Sequence, residues 1–342
     1  MDDQPKFSAP DFKTIWKDYI LPFLLPSRGP NIGIVLFGAF GLSLLLQMVW
    51  IHIPSDKLFF SKTSLIGYSL IMLFRLLALL LVYVLFTEHY KISEHHTWGR
   101  SPGLGGFFMA FLAGIPAMLL SVGIHNLFIY FELKLENPIP PQFYYYVTSE
   151  SSMYGLLLLL VIGVLLPVLI EELFFRGLIF CVLPDRWWAR ILIPALLSTL
   201  FAINHLEFPS LLVIGLCCAA VRYFTDNTLC SCLTRIGLFC TKTLISRILP
   251  IQDSEQVQNA MDYNRTILYA SMIGIVLGIV MVLVLIRQFR LIRYLQKNED
   301  QRCGSEDGKA LHIPLKEQFH LDFFIGITCL ILTWVMSSAV IM

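Results

Sequence analysis

Charge is what this sequence has least of. Only 14% of its 342 residues are Asp, Glu, Lys or Arg, against about 25% in soluble globular domains. With 56% hydrophobic residues and a mean hydropathy of +0.71, the chain has too little polar surface to clothe a water-soluble core of this size. Neither sign prevails, since the net charge is +1. No basic groove of the kind that follows a phosphate backbone stands out, which argues against nucleic acid as a partner. Residues 1–30 lack the basic stretch followed at once by an apolar run that marks a cleavable signal peptide, so the first span is expected to insert the chain. None of the eight cysteines has zinc-knuckle spacing, and those in apolar runs read as small apolar residues. There is no repeat of fixed period and no inverted repeat of the transporter kind.

What the sequence does have is long apolar runs. They cover roughly 32–53, 64–87, 104–131, 155–183, 190–206, 209–223, 228–249, 266–289 and 321–341. A helix of about 20 apolar residues crosses the hydrocarbon of a bilayer. The expectation is therefore an all-α, polytopic transmembrane helix bundle with about eight or nine spans, its lipid bilayer being its first partner. Of the 25 Lys and Arg, Arg75, Arg176, Arg235 and Lys242 lie deep inside apolar runs. With nine spans the others split 16 to 5 in favour of the N-terminal side, counting Lys6, Arg100, Arg186, Arg222, Arg287, Arg290 and Arg293 among the 16. The positive-inside rule then places the N-terminus in the cytoplasm of a multi-pass protein of the cell (inner) membrane. The polar stretch 290–320 reads as a cytoplasmic loop that meets anionic lipid through Arg287, Arg290 and Arg293. Loop 132–154, with its three tyrosines 144–146, reads as external and interfacial.

Three ionisable groups interrupt the fourth run: Glu171, Glu172 and Arg176. Each costs a few kcal/mol at mid-bilayer on insertion scales, so charges inside a span are functional candidates by default. Glu172 and Arg176 are four apart and share a helix face, whereas Glu171 points roughly 100° away. One carboxylate is thus held by the arginine and the other is left over to act. His205 closes the fifth run, in Phe201-Ala-Ile-Asn-His205. Counted from inner ends near Leu183 and Ile191, Glu171 lies roughly 18 Å and His205 roughly 21 Å up antiparallel neighbours. A carboxylate and an imidazole at one level in a low-dielectric cavity can activate water, and burial pushes a carboxyl towards a useful general base.

These residues resemble the motifs of the CPBP (CAAX protease and bacteriocin-processing, or Abi) family of intramembrane proteases, related to type II CAAX prenyl endopeptidases. Glu171, Glu172 and Arg176 match E-E-x-x-x-R, and Phe201 and His205 match F-x-x-x-H. The resemblance implies a helical bundle around a cavity open to the membrane. It implies Glu171 as the base for the hydrolytic water, His205 assisting, and Arg176 holding Glu172. It also implies a membrane-embedded, peptide or prenylated substrate, and leaves zinc open, with Glu171 and His205 as its candidate ligands. The division it suggests is a cytoplasmic segment 1–31, accessory transmembrane helices 32–153, a catalytic core 154–250, and C-terminal transmembrane helices 251–342.

The family's third motif, H-x-x-x-N or H-x-x-x-D, has no counterpart. No histidine occurs between His205 and His312, and the expected position falls near Arg235 or Ile236. Two cations of the seventh run are candidate substitutes, Arg235 and Lys242, either as stabilisers of an oxyanion or as counter-ions to Glu171. The second placing rests on depth: Lys242 is about 21 Å along a helix beginning at Thr228. One functional reading leads, and two alternatives follow it. The first is an intramembrane endopeptidase, a hydrolase whose water is activated by glutamate. The second is a catalytically inactive relative acting as a membrane-protein binding or immunity scaffold. The third is a transporter that uses the buried charges as a relay.

Overall fold

In a computed structural model the chain is described over residues 31–53, 65–134, 161, 164–202, 208–248, 263–303, 318 and 321–341. Among these residues all regular structure is helical, apart from one isolated bridge between Gly99 and Asn227. The elements are α1 (Ile32–His52), α2 (Leu65–His89), the short α3 (Glu94–Trp98), α4 (Gly103–Leu112) and α5 (Gly114–Lys134). Next come α6 (Leu166–Glu172), a π-helical segment (Leu173–Ile179) and a last turn α7 (Phe180–Val182). Then follow α8 (Trp187–Ala202), α9 (Phe208–Thr225), α10 (Thr228–Ile248), α11 (Tyr263–Cys303) and α12 (Leu321–Ile341).

The protein is an all-α bundle. Among the described residues, five helical stretches are long and apolar enough to cross a membrane: Ile32–Trp50, Leu70–His89, Gly103–Phe128, Phe208–Thr225 and Leu268–Tyr294. Trp187–Ala202 and Leu321–Thr333 add shorter apolar helices. The stretch 209–223, the shortest run in the sequence, is a continuous helix. The run 104–131 is broken at Ala113, where α4 gives way to α5. The expected loop 290–320 needs correction, because α11 continues through Cys303. The residues beyond Phe289 are polar, but glutamine, arginine, leucine and lysine are good helix formers and no Gly or Pro interrupts them. Polarity marks where the helix leaves the hydrocarbon, not where it ends. The tyrosines at 144–146 lie outside the described residues.

Small residues set the crossings, as expected where lipid removes any hydrophobic drive between helices. Gly326 of α12 lies against α1, where an added Cβ would stand 2.8 Å from the Phe37 nitrogen. Gly114 of α5 lies against α10, where an added Cβ would stand 2.6 Å from the Thr234 carbonyl oxygen. Thr234 Oγ1 in turn donates to the Ala110 carbonyl at 2.8 Å. That contact fixes the height of α10 against α4 and α5. On the other side, Phe40 of α1, Phe175 of the π segment and Phe201 of α8 stack with centroids 5.7 Å apart in both pairs. Buried apolar side chains of α1, α2, the π segment and α8 close round them as the largest core cluster.

At one end of the bundle, backbone atoms are tied by side chains. Asn227 caps α10 by accepting from the Cys230 N–H at 3.2 Å, and its Nδ2 donates to the Arg100 carbonyl at 2.8 Å. Gly99 pairs with Asn227 at φ +77°, and a Cβ there would run into the Asp226 carbonyl. This is a position only glycine fills without strain.

Candidate functional site

The acid pair sits where the helix changes type. Glu171 and Glu172 are the last two residues of α6, and Arg176 is inside the π segment. π-Helical turns carry one extra residue per hydrogen-bonded ring and recur at functional sites. The wider turn keeps Glu172 and Arg176 on one side, and Arg176 Nη1 lies 3.3 Å from Glu172 Oε1. This is the pair expected from the four-residue spacing.

The second partner comes from α10. Arg235 Nη1 lies 2.6 Å from Glu171 Oε2 and 3.3 Å from Glu172 Oε1. The expectation that Glu171 is left over does not hold, because Arg235 takes one of its oxygens. Ser231, one turn before Arg235 on the same face, donates to Glu172 Oε2. Arg176 Nη2 donates to the Gly215 carbonyl of α9 at 3.0 Å. The result is two carboxylates and two guanidiniums, balanced to zero net charge. Side-chain exposure is 7% for Glu171, 1% for Glu172, 2% for Arg176 and 18% for Arg235. Burying ions is costly, and pairing together with extra hydrogen bonds is what makes it tolerable. The residual opening lies on the Arg235 side.

A further arginine holds the frame. Arg222 of α9 is buried, and its Nε donates to the Arg176 carbonyl at 3.1 Å. Its Nη1 pairs with Asp226 at 2.7 Å, its Nη2 donates to the His96 carbonyl at 3.3 Å, and its guanidinium lies 4.6 Å from the Phe180 ring centroid. The carbonyl it binds belongs to the π segment, whose backbone partners are displaced from the α pattern. Arg75 of α2 acts similarly on the second motif. Its Nη2 donates to the Phe201 carbonyl near the end of α8, and its guanidinium lies 4.3 Å from the Phe201 ring centroid.

Why Arg235 and not Lys242 reaches the acids follows from the ends of the helices. The Thr97 carbonyl accepts from Thr228 Oγ1 at 2.6 Å, and the same carbonyl is 3.3 Å from a Cβ placed on Gly177. The first residue of α10 is therefore level with Gly177, not with Leu183. Seven residues up from Thr228 is Arg235, about 10 Å along the axis, and six up from Gly177 is Glu171. Depths counted from level inner ends put Lys242 there instead. Lys242 lies two turns further along α10. His205 lies outside the described residues, as does the remainder of the F-x-x-x-H motif beyond Ala202.

Of the two candidate zinc ligands, Glu171 lies among the described residues and His205 does not. A catalytic zinc site takes three protein ligands, and among the described residues no group of three His, Cys, Asp or Glu side chains converges. The Oε2 of Glu171 that would face a cation already holds the Arg235 guanidinium. Ser231, Gly215 and Arg222 escaped the sequence reading. Ser231 was within reach, since it is four residues before Arg235, and Arg222 and Asp226 are likewise four apart. The Gly215 carbonyl carries no sequence signal at all.

Fold and site together define a polytopic helical membrane protein with a buried Glu-Glu-Arg-Arg centre. Residues 153–238 match the family model described as Type II CAAX prenyl endopeptidase Rce1-like. The resemblance read from the motifs is thus borne out over that segment, which spans α6 to the middle of α10. No curated protein and no solved structure matches the chain.

Proposed function

We propose that this protein is a membrane-embedded relative of the type II CAAX endopeptidases that keeps its acid pair closed and binds membrane-borne polypeptide without hydrolysing it. One observation carries the reading: Arg235 Nη1, 2.6 Å from Glu171 Oε2 and 3.3 Å from Glu172 Oε1. A general base must reach the proton it abstracts at hydrogen-bond distance, and a guanidinium occupies that position at one of the two Glu171 oxygens. Arginine stays protonated in proteins, so it does not leave by losing its charge. The family's third-motif histidine is expected near this place, at Arg235 or Ile236, and no histidine occurs there. On this reading the unit 154–250 is the binding core, 32–153 and 251–342 supply accessory helices, and the basic end of the bundle faces the cytoplasm across the cell membrane.

A peptidase reading has one observation in its favour. Arg235 is the most exposed of the four charges, so a substrate arriving from that side meets it first, and it could then stabilise an oxyanion. The two readings separate in one experiment. Purified protein and the Glu171→Ala variant are incubated with a peptide library that includes prenylated C-termini carrying a photo-crosslinker. We expect crosslinked peptide with both and cleavage with neither. Cleavage by the parent that Glu171→Ala abolishes, and that survives chelation, would establish the glutamate-dependent peptidase instead.

A further inference from the structure

Helix α11 is the least embedded of the long helices, and its outer face changes character along its length. Val276, Val280 and Leu283 are exposed apolar side chains. Above them on the same face come Arg287, Arg290 and Tyr294, all exposed. At 3.6 residues per turn these last three fall within an arc of roughly 60°. The opposite face is anchored. Phe289 is buried with Ala110, Val221 and Cys230, and the Arg293 guanidinium lies 3.9 Å from the Tyr223 ring centroid of α9. The rotation of α11 is therefore fixed, and Arg287 and Arg290 are held outward.

Their depth follows from the helix itself. Tyr269 and Tyr294 are both exposed, at 63% and 62%, and lie about 37 Å apart along the axis. That matches two interfacial aromatic positions spanning a hydrocarbon of about 30 Å. Arg287 and Arg290 then lie about 10 and 6 Å short of Tyr294, at the edge of the hydrocarbon, from where their long side chains snorkel to the headgroups, and the valines lie at acyl level. None of the ion pairs formed among the described residues involves Arg287, Arg290 or Arg293. The nearest acids further along α11, Glu299 and Asp300, are about 13 Å or more beyond Arg290.

We infer that this face of α11 is a binding site for an anionic phospholipid, its phosphate on Arg287 and Arg290 and its acyl chain along Val276, Val280 and Leu283. The occupant carries negative charge next to an apolar tail, which is the order of side chains the helix presents. Tyr294 closes the site on the water side with a hydroxyl that a headgroup can reach. This inference does not depend on whether the acid centre is active.

Native mass spectrometry of the full-length protein in detergent tests it, with phosphatidylglycerol, phosphatidylcholine of equal chain length, or inorganic phosphate added. Phosphatidylglycerol is expected to be retained at least tenfold better than phosphatidylcholine, since each basic residue at a membrane surface is worth about a factor of five. The R287Q/R290Q variant is expected to lose that preference. R287K/R290K keeps it, and so does R186Q, which removes an exposed arginine elsewhere. Equal retention of the two lipids, a preference surviving in R287Q/R290Q, or its loss in R287K/R290K or R186Q would overturn the site. Displacement of the lipid by inorganic phosphate at the same concentration would overturn it as well, in favour of a free-anion site.

Discussion

Two groups of arginines in this protein meet the membrane in opposite ways. Arg176 and Arg235 lie inside the bundle, matched one for one by Glu172 and Glu171. Arg287 and Arg290 lie on its outside, exposed and, among the described residues, without a carboxylate. The difference teaches what burial demands. A guanidinium among apolar helices persists only with its counter-charge and its hydrogen bonds supplied by protein, so the inner pair ties three helices together. At the headgroup level water and lipid phosphate do that work, and the helix that carries the charge stays structurally independent of them.

The sharpest way to break the comparison is to remove one inner partner. Arg176→Met leaves Glu172 short of a counter-ion and frees the Gly215 carbonyl. It is expected to cost about 3–5 kcal/mol, read as the shift in unfolding of the detergent-solubilised protein. The double variant Arg176→Met with Glu172→Leu is expected to recover most of that loss, because a buried pair replaced by apolar groups is close to neutral. If the single and double variants are equally unstable, the charge balance is not what holds the centre. Next in size is Ser231→Ala, which deletes a hydrogen bond to a charged acceptor and is expected to cost about 1.5–3 kcal/mol by the same measurement. Gly237→Ala, at the α4–α10 crossing beside Arg235, brings a Cβ against Phe111, 3.3 Å from its ring, and closer to its carbonyl. Overpacking of this kind costs about 1–3 kcal/mol. Arg287→Gln stands at the other extreme, with a stability change within about 0.5 kcal/mol. A loss as large as that of Arg176→Met would show that α11 leans on a partner within the bundle.

Much of the centre was legible because charge inside an apolar run has few explanations. Glu171, Glu172 and Arg176 stood out by cost alone, and the four-residue spacing gave the Glu172–Arg176 pair. The apolar runs likewise gave the helices from Ile32 to Ile341, since length and hydropathy decide whether a segment can span lipid. Arg235 was visible as a candidate, but its rank over Lys242 was not. That depended on α10 starting level with Gly177, which is decided by the turn 225–228 hydrogen-bonding to α3. The π segment was equally hidden: Leu173–Ile179 has nothing in its residues that an α-helix would refuse, and its backbone is stabilised by Arg222 from a different helix. The continuation of α11 to Cys303 was hidden as well, because polar helix formers beyond the hydrocarbon look the same in a helix and in a loop.

The sequence by itself determined that this protein lives in a bilayer as helices and that two acids and an arginine sit inside one of them. A backbone in hydrocarbon must satisfy its own polar groups, as a helix or a closed barrel, and uninterrupted apolar runs of about 20 residues record the helix. Only the tertiary structure decided which cation meets Glu171. Helix ends and close glycine crossings set relative heights to within a turn, and a shift of one turn exchanges one side chain for another at the same point in space.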